Sequence, residues 1–405
     1  MSQLESSESA APSLTHREGE LAALRVAGQN LTIFESSEPL IKAMVDDIRR
    51  ADRRVWLESY IVAADAAGQA VGEALKERAA AGIDCRVIYD AVGSSSTPAA
   101  FFRDWEAAGV RVHAFHTLWE SLWHFRSLGV FNRRDHRKLL AIDDRVAYFG
   151  GMNIVDQSGI TTVEQAQDRN LPVSAGWRDV HVRLEGPLQQ QLAETFRRLW
   201  QRIHLHRRPR RARWAVREML AARGENIFFF DSRPWFKYHQ PRRVFSPLLR
   251  RARHTITLSM AYFIPDGRVL RELLRAARRG VKVRVIIPGN SDVPAVHWAT
   301  RYLYARLLKH GIRLYERKDQ MLHSKVLVID GVWTVLGSCN LDPRSLQINL
   351  ELIAAIHSRA TAAAMNRIAR YELRNSRRVT IADVHNRSWR QRLLDWLAWS
   401  FRRWL

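Results

Sequence analysis

The sequence contains few cysteines, no long apolar run and relatively few acidic residues. Cys85 and Cys339 are the only cysteines among 405 residues, which excludes a disulfide framework and favours a reducing compartment. No window reaches the roughly 18 consecutive apolar residues of a membrane-spanning helix, and the N-terminal residues lack the apolar segment of a signal peptide. Asp and Glu number 41 against 64 Lys and Arg, a formal charge of +23. This excess predicts attraction to a polyanion, either nucleic acid or an anionic membrane surface.

What is present is an ordinary globular composition arranged as an internal repeat. Hydrophobic residues make up 46% of the chain and charged residues 26%. Similar blocks open at Asn30 and at Asn226, each reading as a short strand, a turn containing serine, an arginine-rich helix and a buried strand. Gly82 and Gly280 follow matching helices further along. Strands alternating with helices predict two similar α/β lobes, each with a largely parallel sheet, related by a pseudo-twofold axis.

The repeat also suggests where the lobes begin and end. We expect a disordered polar lead-in over residues 1–29 and a first lobe over 30–203. A basic linker over 204–225 would join it to a second lobe over 226–385, and a C-terminal amphipathic helix would occupy 386–405.

One motif occurs in both halves of the chain. DHRKLLAIDDRVAYFGGMN and LHSKVLVIDGVWTVLGSCN share the pattern H-x-K-x4-D-x6-G-x2-N. A single H-x-K-x4-D would be a weak signal, but two copies at equivalent places in a repeat are a strong one. The pattern pairs six residues as candidate catalytic motif members, namely His136 with His323, Lys138 with Lys325 and Asp143 with Asp330.

These residue types suit chemistry at phosphorus. On a strand, residues two apart point to the same face, so each histidine projects together with its lysine. Imidazole serves as a nucleophile or a general acid near neutral pH, and ammonium groups neutralise charge that builds on a phosphate. No cluster of His, Cys and carboxylates has metal-binding spacing, so we expect a mechanism without metal or other cofactor.

Further residues complete the expected site. Asn153, Ser338 and Asn340 offer groups that bind phosphate oxygens. Asp179 and Glu351 lie in strand-like stretches, where a buried acid is costly unless paired, so both are candidates to orient the two histidines. We interpret Asp143 and Asp330 as turn formers at strand ends, without a direct chemical role.

The sequence resembles the phospholipase D superfamily, which is defined by two H-x-K-x4-D motifs. Within it the chain is most similar to the bacterial cardiolipin synthases of the B type, on WLESYI, GGMN, WRDVHVRLEGP, SMAYFIPD, IIPGNSD and GSCNLDPRS. The resemblance covers roughly Asn30 to Ile381. It implies two α-β-α sandwich lobes with the active site at their junction.

The resemblance also implies an activity, namely phosphatidyl transfer through a phosphatidyl-histidine intermediate. His136 would attack the donor, which would be phosphatidylglycerol or else phosphatidylethanolamine. His323 would protonate the departing alcohol, although the pseudo-symmetry allows the two roles to be exchanged. Lys138, Lys325, Asn153 and Asn340 would hold the phosphate. We expect no obligatory protein partner.

The C-terminal residues indicate how such a protein reaches lipid. NRSWRQRLLDWLAWSFRRWL places Trp and Leu on one helical side and mostly polar residues on the other, which predicts a helix at the surface of an anionic membrane. Packing of this helix on the lobes is the competing interpretation. An apolar insertion, FHTLWESLWHF (115–125), either guides acyl chains or packs internally. We therefore expect peripheral association with the cytoplasmic side of the cell membrane.

The sequence also fits three competing functions. A nuclease of the same superfamily would use the same chemistry and would suit the charge of +23, but it needs neither the Trp-rich tail nor the insertion, so we expect no nucleic-acid partner. A hydrolase would use water as the acceptor in place of a second lipid. A non-catalytic membrane scaffold is the third function, and two complete motif copies argue against it.

Overall fold

The structure is a computed structural model that describes residues 20–115, 133–156, 176–205, 216–233, 238–318 and 320–404. Its strands are β1 (Glu20–Val26), β2 (Gln29–Phe34), β3 (Arg54–Ser59), β4 (Asp84–Asp90), β5 (Arg111–Phe115), β6 (Leu139–Ile142), β7 (Val146–Gly150), β8 (Trp177–Arg178), β9 (His181–Glu185), β10 (Asn226–Arg233), β11 (Tyr238–His239), β12 (Thr255–Met260), β13 (Lys282–Pro288), β14 (Arg313–Arg317), β15 (Met321–Leu322), β16 (Lys325–Ile329), β17 (Trp333–Gly337), β18 (Leu352–His357) and β19 (Ser376–Arg378). Its helices are α1 (Ser37–Arg49), α2 (Ala66–Ala80), α3 (Ala99–Ala107), α4 (Gln189–Leu205), α5 (Val216–Ala221), α6 (Gln240–Arg251), α7 (Gly267–Arg278), α8 (Pro294–Tyr302), α9 (Tyr304–Lys309), α10 (Pro343–Gln347), α11 (Arg359–Arg374), α12 (Ile381–His385) and α13 (Trp389–Ser400).

The strands form two large sheets with the same order. The first sheet runs β1-β2-β9-β7-β6-β3-β4-β5 and the second β11-β10-β18-β17-β16-β12-β13-β14-β19. From β2 to β5 and from β10 to β14 the orders correspond strand for strand. The predicted duplication of an α/β lobe is therefore confirmed.

The expectation of a largely parallel sheet was wrong. Among the described strands of the first sheet, β3, β4 and β5 pair parallel. Their neighbours in the sheet, in the order β2, β9, β7, β6 and β3, pair antiparallel. The second lobe repeats this division. The reason is a tight turn after each motif strand, where Asp143 and Asp330 adopt a positive φ of 52°. A short hairpin connection reverses the chain, whereas parallel neighbours need a long crossover.

Successive side chains of a strand point to opposite faces of the sheet. Because successive residues of these strands are apolar, both faces of each sheet are buried. Leu140 and Ile142 of β6 pack towards α1, α2 and α3, while Leu139 and Ala141 point the other way. The second sheet similarly covers one face with α6, α7 and α9. The inner helices α4 and α11 pack on the opposite faces, so each lobe is an α-β-α sandwich.

The two inner faces share one apolar core. Phe149 of β7 meets Phe229 of β10 edge to face, with ring centroids 5.1 Å apart. Phe196 of α4 and Met365 of α11 belong to the same buried cluster. Burial of this continuous surface holds the two lobes together.

Two expected boundaries need correction. The lead-in was predicted as disordered to residue 29, but Glu20–Val26 forms β1, which pairs antiparallel with β2. Residues 204–225 are not wholly a linker, because α4 continues to Leu205 and Val216–Ala221 forms α5. The C-terminal helix occupies Trp389–Ser400, within the predicted range.

Candidate active site

The backbone of each lobe crosses to the other at the motif histidines. The backbone N–H of His136 donates to the carbonyl of Leu350 at 3.0 Å, and that of His323 donates to the carbonyl of Arg178 at 2.7 Å. Beside His323 the short strands β8 and β15 pair parallel across the junction. These contacts bring both histidines to the boundary between the lobes.

The acids are exchanged between the lobes. Glu351, which follows Leu350 in the second lobe, lies 3.1 Å from Nδ1 of His136 in the first. Asp179, which follows Arg178 in the first lobe, lies 2.6 Å from Nδ1 of His323 in the second. Each strand crossing therefore delivers a carboxyl group to the histidine of the opposite lobe. The carboxyl groups are buried, and the side chain of His136 is 11% exposed.

Both motif lysines lie beside their histidines, as the i, i+2 spacing predicts. Nζ of Lys138 donates to the carbonyl of His136 at 2.7 Å, while Nζ of Lys325 lies 3.1 Å from Oδ2 of Asp179. Burial, followed by the nearby charge of Lys325, lowers the pKa of Lys138 to about 7, although Glu351 opposes that shift. Lys325, Lys138 and His323 also act on the pKa of His136, so the four motif side chains lie within electrostatic range of one another.

The surroundings act differently on the two carboxyl groups. Burial would raise the pKa of Asp179, but the charges of Lys325 and His323 outweigh it and lower that pKa. Burial raises the pKa of Glu351 well above its usual value, despite the charge of Lys138. These directions favour the ionised form of Asp179 and the neutral form of Glu351.

The same asymmetry acts on the histidines. Burial and then the positive charge of Lys138 hold the pKa of His136 well below its usual value. Burial and Lys325 also lower the pKa of His323, but its contact with Asp179 works against them. The imidazole of His136 is thus kept neutral, while an anion supports the protonated form of His323.

A difference of one residue between the motif copies accommodates the two acids. Gly151 and Ser338 occupy equivalent positions. A Cβ atom on Gly151 would lie 2.2 Å from Oδ1 of Asp179, so that acid requires glycine there. The hydroxyl of Ser338 donates to Oε2 of Glu351 and accepts from the backbone N–H of Leu352 at 3.0 Å. This hydroxyl, predicted to bind phosphate, thus contacts the carboxyl group that faces His136.

The two asparagines make matching backbone contacts. Oδ1 of Asn153 accepts from the N–H of Ile61 at 3.3 Å, and Oδ1 of Asn340 accepts from the N–H of Tyr262 at 3.4 Å. Both side chains are buried. Their oxygens are used for positioning, which leaves the amide NH₂ groups as the donors.

The motif aspartates lie at the far ends of the motif strands rather than beside the histidines. The carboxylate of Asp143 accepts from the backbone N–H groups of Asp52, Arg53 and Arg54 at 2.9–3.0 Å. Asp330 accepts from the three equivalent N–H groups at the start of β12, each at 2.8 Å. The structure gives both residues a contact that fixes the start of the neighbouring strand.

Two aromatic residues next to the histidines were missed as site residues. The ring centroid of Tyr60 lies 5.0 Å from that of His136, and the ring of Trp177 lies at the same distance from His323. Tyr60 belongs to the stretch WLESYI, and Trp177 opens the stretch WRDVHVRLEGP. Their places, directly after β3 and two residues before Asp179, are the signal that could have indicated them.

Other expectations concern metal sites, membrane helices and the insertion. Among the residues that the structure describes, no group of three or more His, Cys, Asp or Glu side chains is arranged to hold a metal ion. Within the same residues, no helix has both the length and the apolar character to cross a membrane. The insertion FHTLWESLWHF lies outside the described residues beyond Phe115.

Comparison with known proteins identifies the family to which this geometry corresponds. Residues 44–200 and 246–371 match the family model described as cardiolipin synthase, PLD-like domain. The chain is 32% identical to cardiolipin synthase B of Escherichia coli strain K12 over 342 residues, covering 82% of this chain and 77% of that protein. It is 29% identical to cardiolipin synthase 1 of a Staphylococcus epidermidis strain over 359 residues, covering 88% and 70%. In fold it is similar to phosphatidylserine synthase of Haemophilus influenzae, with a TM-score of 0.64 at 14% identity over 95% of each chain.

Proposed function

The chain belongs to the family of cardiolipin synthases with phospholipase D-like domains, and on that basis we propose that it converts two phosphatidylglycerol molecules into cardiolipin and glycerol. It is a phosphatidyltransferase whose substrates are phospholipids. The observation that carries the proposal is the junction of the lobes, where each motif histidine contacts an acid from the opposite lobe. Two imidazoles with separate orienting acids suit a reaction with two proton transfers at one phosphorus.

In the first step His136 is the nucleophile. Its Nδ1 faces Glu351, so Nε2 is the nitrogen that bonds to phosphorus. As that bond forms, the bond from phosphorus to the headgroup oxygen breaks, and protonated His323 gives its proton to the departing glycerol. The assignment is supported by the lowered pKa of His136 and by the ionised Asp179 beside His323.

In the second step the free hydroxyl of another phosphatidylglycerol is the acceptor. Neutral His323 takes the hydroxyl proton as the oxygen attacks phosphorus, and the bond to Nε2 of His136 breaks, with its electron pair returning to the nitrogen. Lys138 and Lys325 neutralise the phosphate, and the amide NH₂ groups of Asn153 and Asn340 donate to its oxygens. The enzyme regains its starting protonation state.

The substrate and location follow from charge. A surplus of basic residues, 64 Lys and Arg against 41 acids, favours the anionic donor phosphatidylglycerol over phosphatidylethanolamine. The same surplus favours the cytoplasmic leaflet, which carries a negative surface potential. We therefore place the protein peripherally on the cytoplasmic side of the cell membrane.

The test is product analysis with labelled phosphatidylglycerol in detergent micelles. Wild type is expected to form cardiolipin and glycerol in equal amounts, and His136→Ala neither. His254→Ala, whose side chain is exposed, is the matched control and should retain activity. Phosphatidic acid with no cardiolipin would instead identify a hydrolase. A covalent phosphatidyl adduct that persists in His136→Ala but disappears in His323→Ala would reverse the histidine roles.

A further inference from the structure

The C-terminal helix α13 is attached to the second lobe by one buried ion-pair network and a small apolar contact. Asp395 is buried and accepts from Arg301 at 2.8 Å and from Arg387 at 3.2 Å. Ala398 is the other buried residue of the helix, and Trp399 stacks on Tyr302 of α8 with ring centroids 5.3 Å apart. The start of the helix is fixed by a reciprocal pair of hydrogen bonds between Ser388 and Gln391.

The apolar side of the same helix faces away from the protein. Seven large apolar residues in and just after the helix are exposed, by 38–73% of their surface: Trp389, Leu393, Leu394, Trp396, Leu397, Phe401 and Trp404. We call this set the tryptophan face. Amphipathic helices of soluble proteins normally bury the apolar side and expose the polar one. Here most of the large apolar side chains are exposed instead, and an exposed apolar patch of this kind marks an interaction surface.

Arginines border the tryptophan face. Residues 386–404 contain five arginines and one acid, Asp395, which is already paired within the protein. Arg390, Arg392 and Arg403 are exposed. By helical spacing Arg392 lies at one edge of the apolar residues and Arg390 lies among them. A helix of 12 residues is about 18 Å long, too short to cross a hydrocarbon core of about 30 Å. Trp and Leu beside exposed arginines fit the headgroup boundary of an anionic bilayer.

The tryptophan face is connected to the active site through Tyr262. The side chain of Tyr262 packs against the apolar cluster that contains Ala398 of the helix. Its hydroxyl donates to Asp292 at 2.7 Å, and its backbone N–H contacts Asn340. Asp292 in turn lies within electrostatic range of His323 and Lys325. The helix is therefore joined, through one residue, to the second-lobe half of the active site.

From these observations we propose that the tryptophan face binds the surface of an anionic lipid bilayer and holds the active site against it. That this binding matters for turnover rests on the proposed function. The binding to lipid itself does not depend on that function. A second copy of the chain is a poorer occupant, because a twofold contact would bring the exposed arginines of both copies together. Anionic headgroups neutralise the same arginines.

The test is flotation with vesicles of phosphatidylglycerol and phosphatidylcholine. We expect wild type to bind these vesicles, and Trp396→Ser/Phe401→Ser to bind about tenfold or more weakly because two exposed rings no longer enter the interface. Ile381→Ser is the matched control, since Ile381 on α12 is 38% exposed, as Leu397 is, and it should bind like wild type. Equal binding by the double variant and wild type would overturn the proposal.

Two further measurements distinguish a lipid surface from a second copy of the chain. Vesicles of phosphatidylcholine alone should bind about tenfold or more weakly than anionic ones, and equal binding would contradict the role of the arginines. Sedimentation velocity without lipid should give the same state for wild type and the double variant. A dimer lost in the double variant, together with no vesicle binding by wild type, would assign the face to a second copy.

Activity distinguishes this inference from the proposed function. In detergent micelles the double variant should make cardiolipin at the wild-type rate, whereas on vesicles its rate should fall in proportion to binding. If wild type binds vesicles but makes no cardiolipin in either system, the proposed function fails while the docking surface stands. If the double variant loses activity equally in both systems, the helix affects the active site directly and the docking role is wrong.

Discussion

At the scale of single residues, the two orienting acids are chemically different although the repeat makes them equivalent. Lys325 and His323 lower the pKa of Asp179, whereas burial raises the pKa of Glu351. We expect Asp179→Asn to lower kcat by about 10²–10⁴-fold, because His323 loses the anion that supports its protonated form. Glu351→Gln should cost only about tenfold, since a neutral amide still orients His136 and Ser338. Single-turnover measurements on both variants test this difference.

The control for this comparison is the thermal stability of both variants. Each substitution replaces a carboxyl by an amide of the same shape, so a loss of folding would be visible in the melting temperature and can be separated from kcat. Equal losses of kcat in two folded variants would mean that the acids share one charge state. A larger loss in Glu351→Gln would favour exchange of the histidine roles.

Lys138 gives the site a pH dependence of substrate binding. Burial lowers its pKa to about 7, so the free enzyme loses this positive charge as pH rises through 7. A bound phosphodiester favours the charged form, and therefore its dissociation constant should rise towards about tenfold per pH unit above 7. Binding of a non-reactive phosphodiester to His136→Ala measures this effect without turnover.

Lys138→Met is the matched variant for this titration. It should bind the phosphodiester more weakly than the parent at pH 6, whereas the two should converge at pH 9, where the lysine is neutral. The methionine variant should also lose the steep change above pH 7. If its affinity changes with pH as in the parent, another group is responsible for the titration.

At the scale of elements, the motif aspartates fix the strands that carry the chemistry. Asp143 accepts hydrogen bonds from three backbone N–H groups at the start of β3 and has a φ of 52°. We expect Asp143→Ala to lower the free energy of unfolding by about 2–4 kcal/mol, from unsatisfied N–H groups and left-handed backbone strain. The neighbouring Asp144→Ala, which removes only surface ion pairs, should cost within about 1 kcal/mol. Urea unfolding measures both.

The second measurement on these variants is the activity per folded molecule. Asp143 contacts the backbone before β3, not the histidines, so folded Asp143→Ala should keep at least about half of the wild-type kcat. A loss of several hundredfold in folded protein would instead give Asp143 a role in the reaction.

The elements also show what the sequence could and could not predict. The duplicated lobes and both histidine–lysine pairs followed from motif and repeat, because side-chain periodicity along a strand is local information. The exchange of Asp179 and Glu351 between lobes did not follow, because it depends on strand crossings between residues far apart in the chain. The mixed sheets were missed for a related reason, since the strand after each motif strand returns through a tight turn. The contact of Ser338 with Glu351 was missed because it is visible only in three dimensions.

At the scale of the whole molecule, the active site and the apolar core lie at the same junction. Each lobe supplies one histidine, one lysine and the acid for the other histidine, so neither lobe contains a complete site. The shared core that includes Phe149 and Phe229 holds these halves in register. Arg178 of the first lobe and Arg317 of the second also both bind Glu372 of α11, at 3.1 and 2.8 Å. Stability and the proposed catalysis therefore depend on the same interface.

A shared core predicts that the lobes unfold together. Phe102 lies in the core of the first lobe only, whereas Phe229 lies at the interface, and both are buried. We expect Phe102→Ala and Phe229→Ala each to lower the free energy of unfolding by about 3–5 kcal/mol. Both variants should keep a single calorimetric transition, because loss of the first lobe exposes the inner face of the second. If Phe102→Ala instead gave two transitions, one at the wild-type temperature, the second lobe would be stable alone, and the junction would organise the active site without holding the fold together.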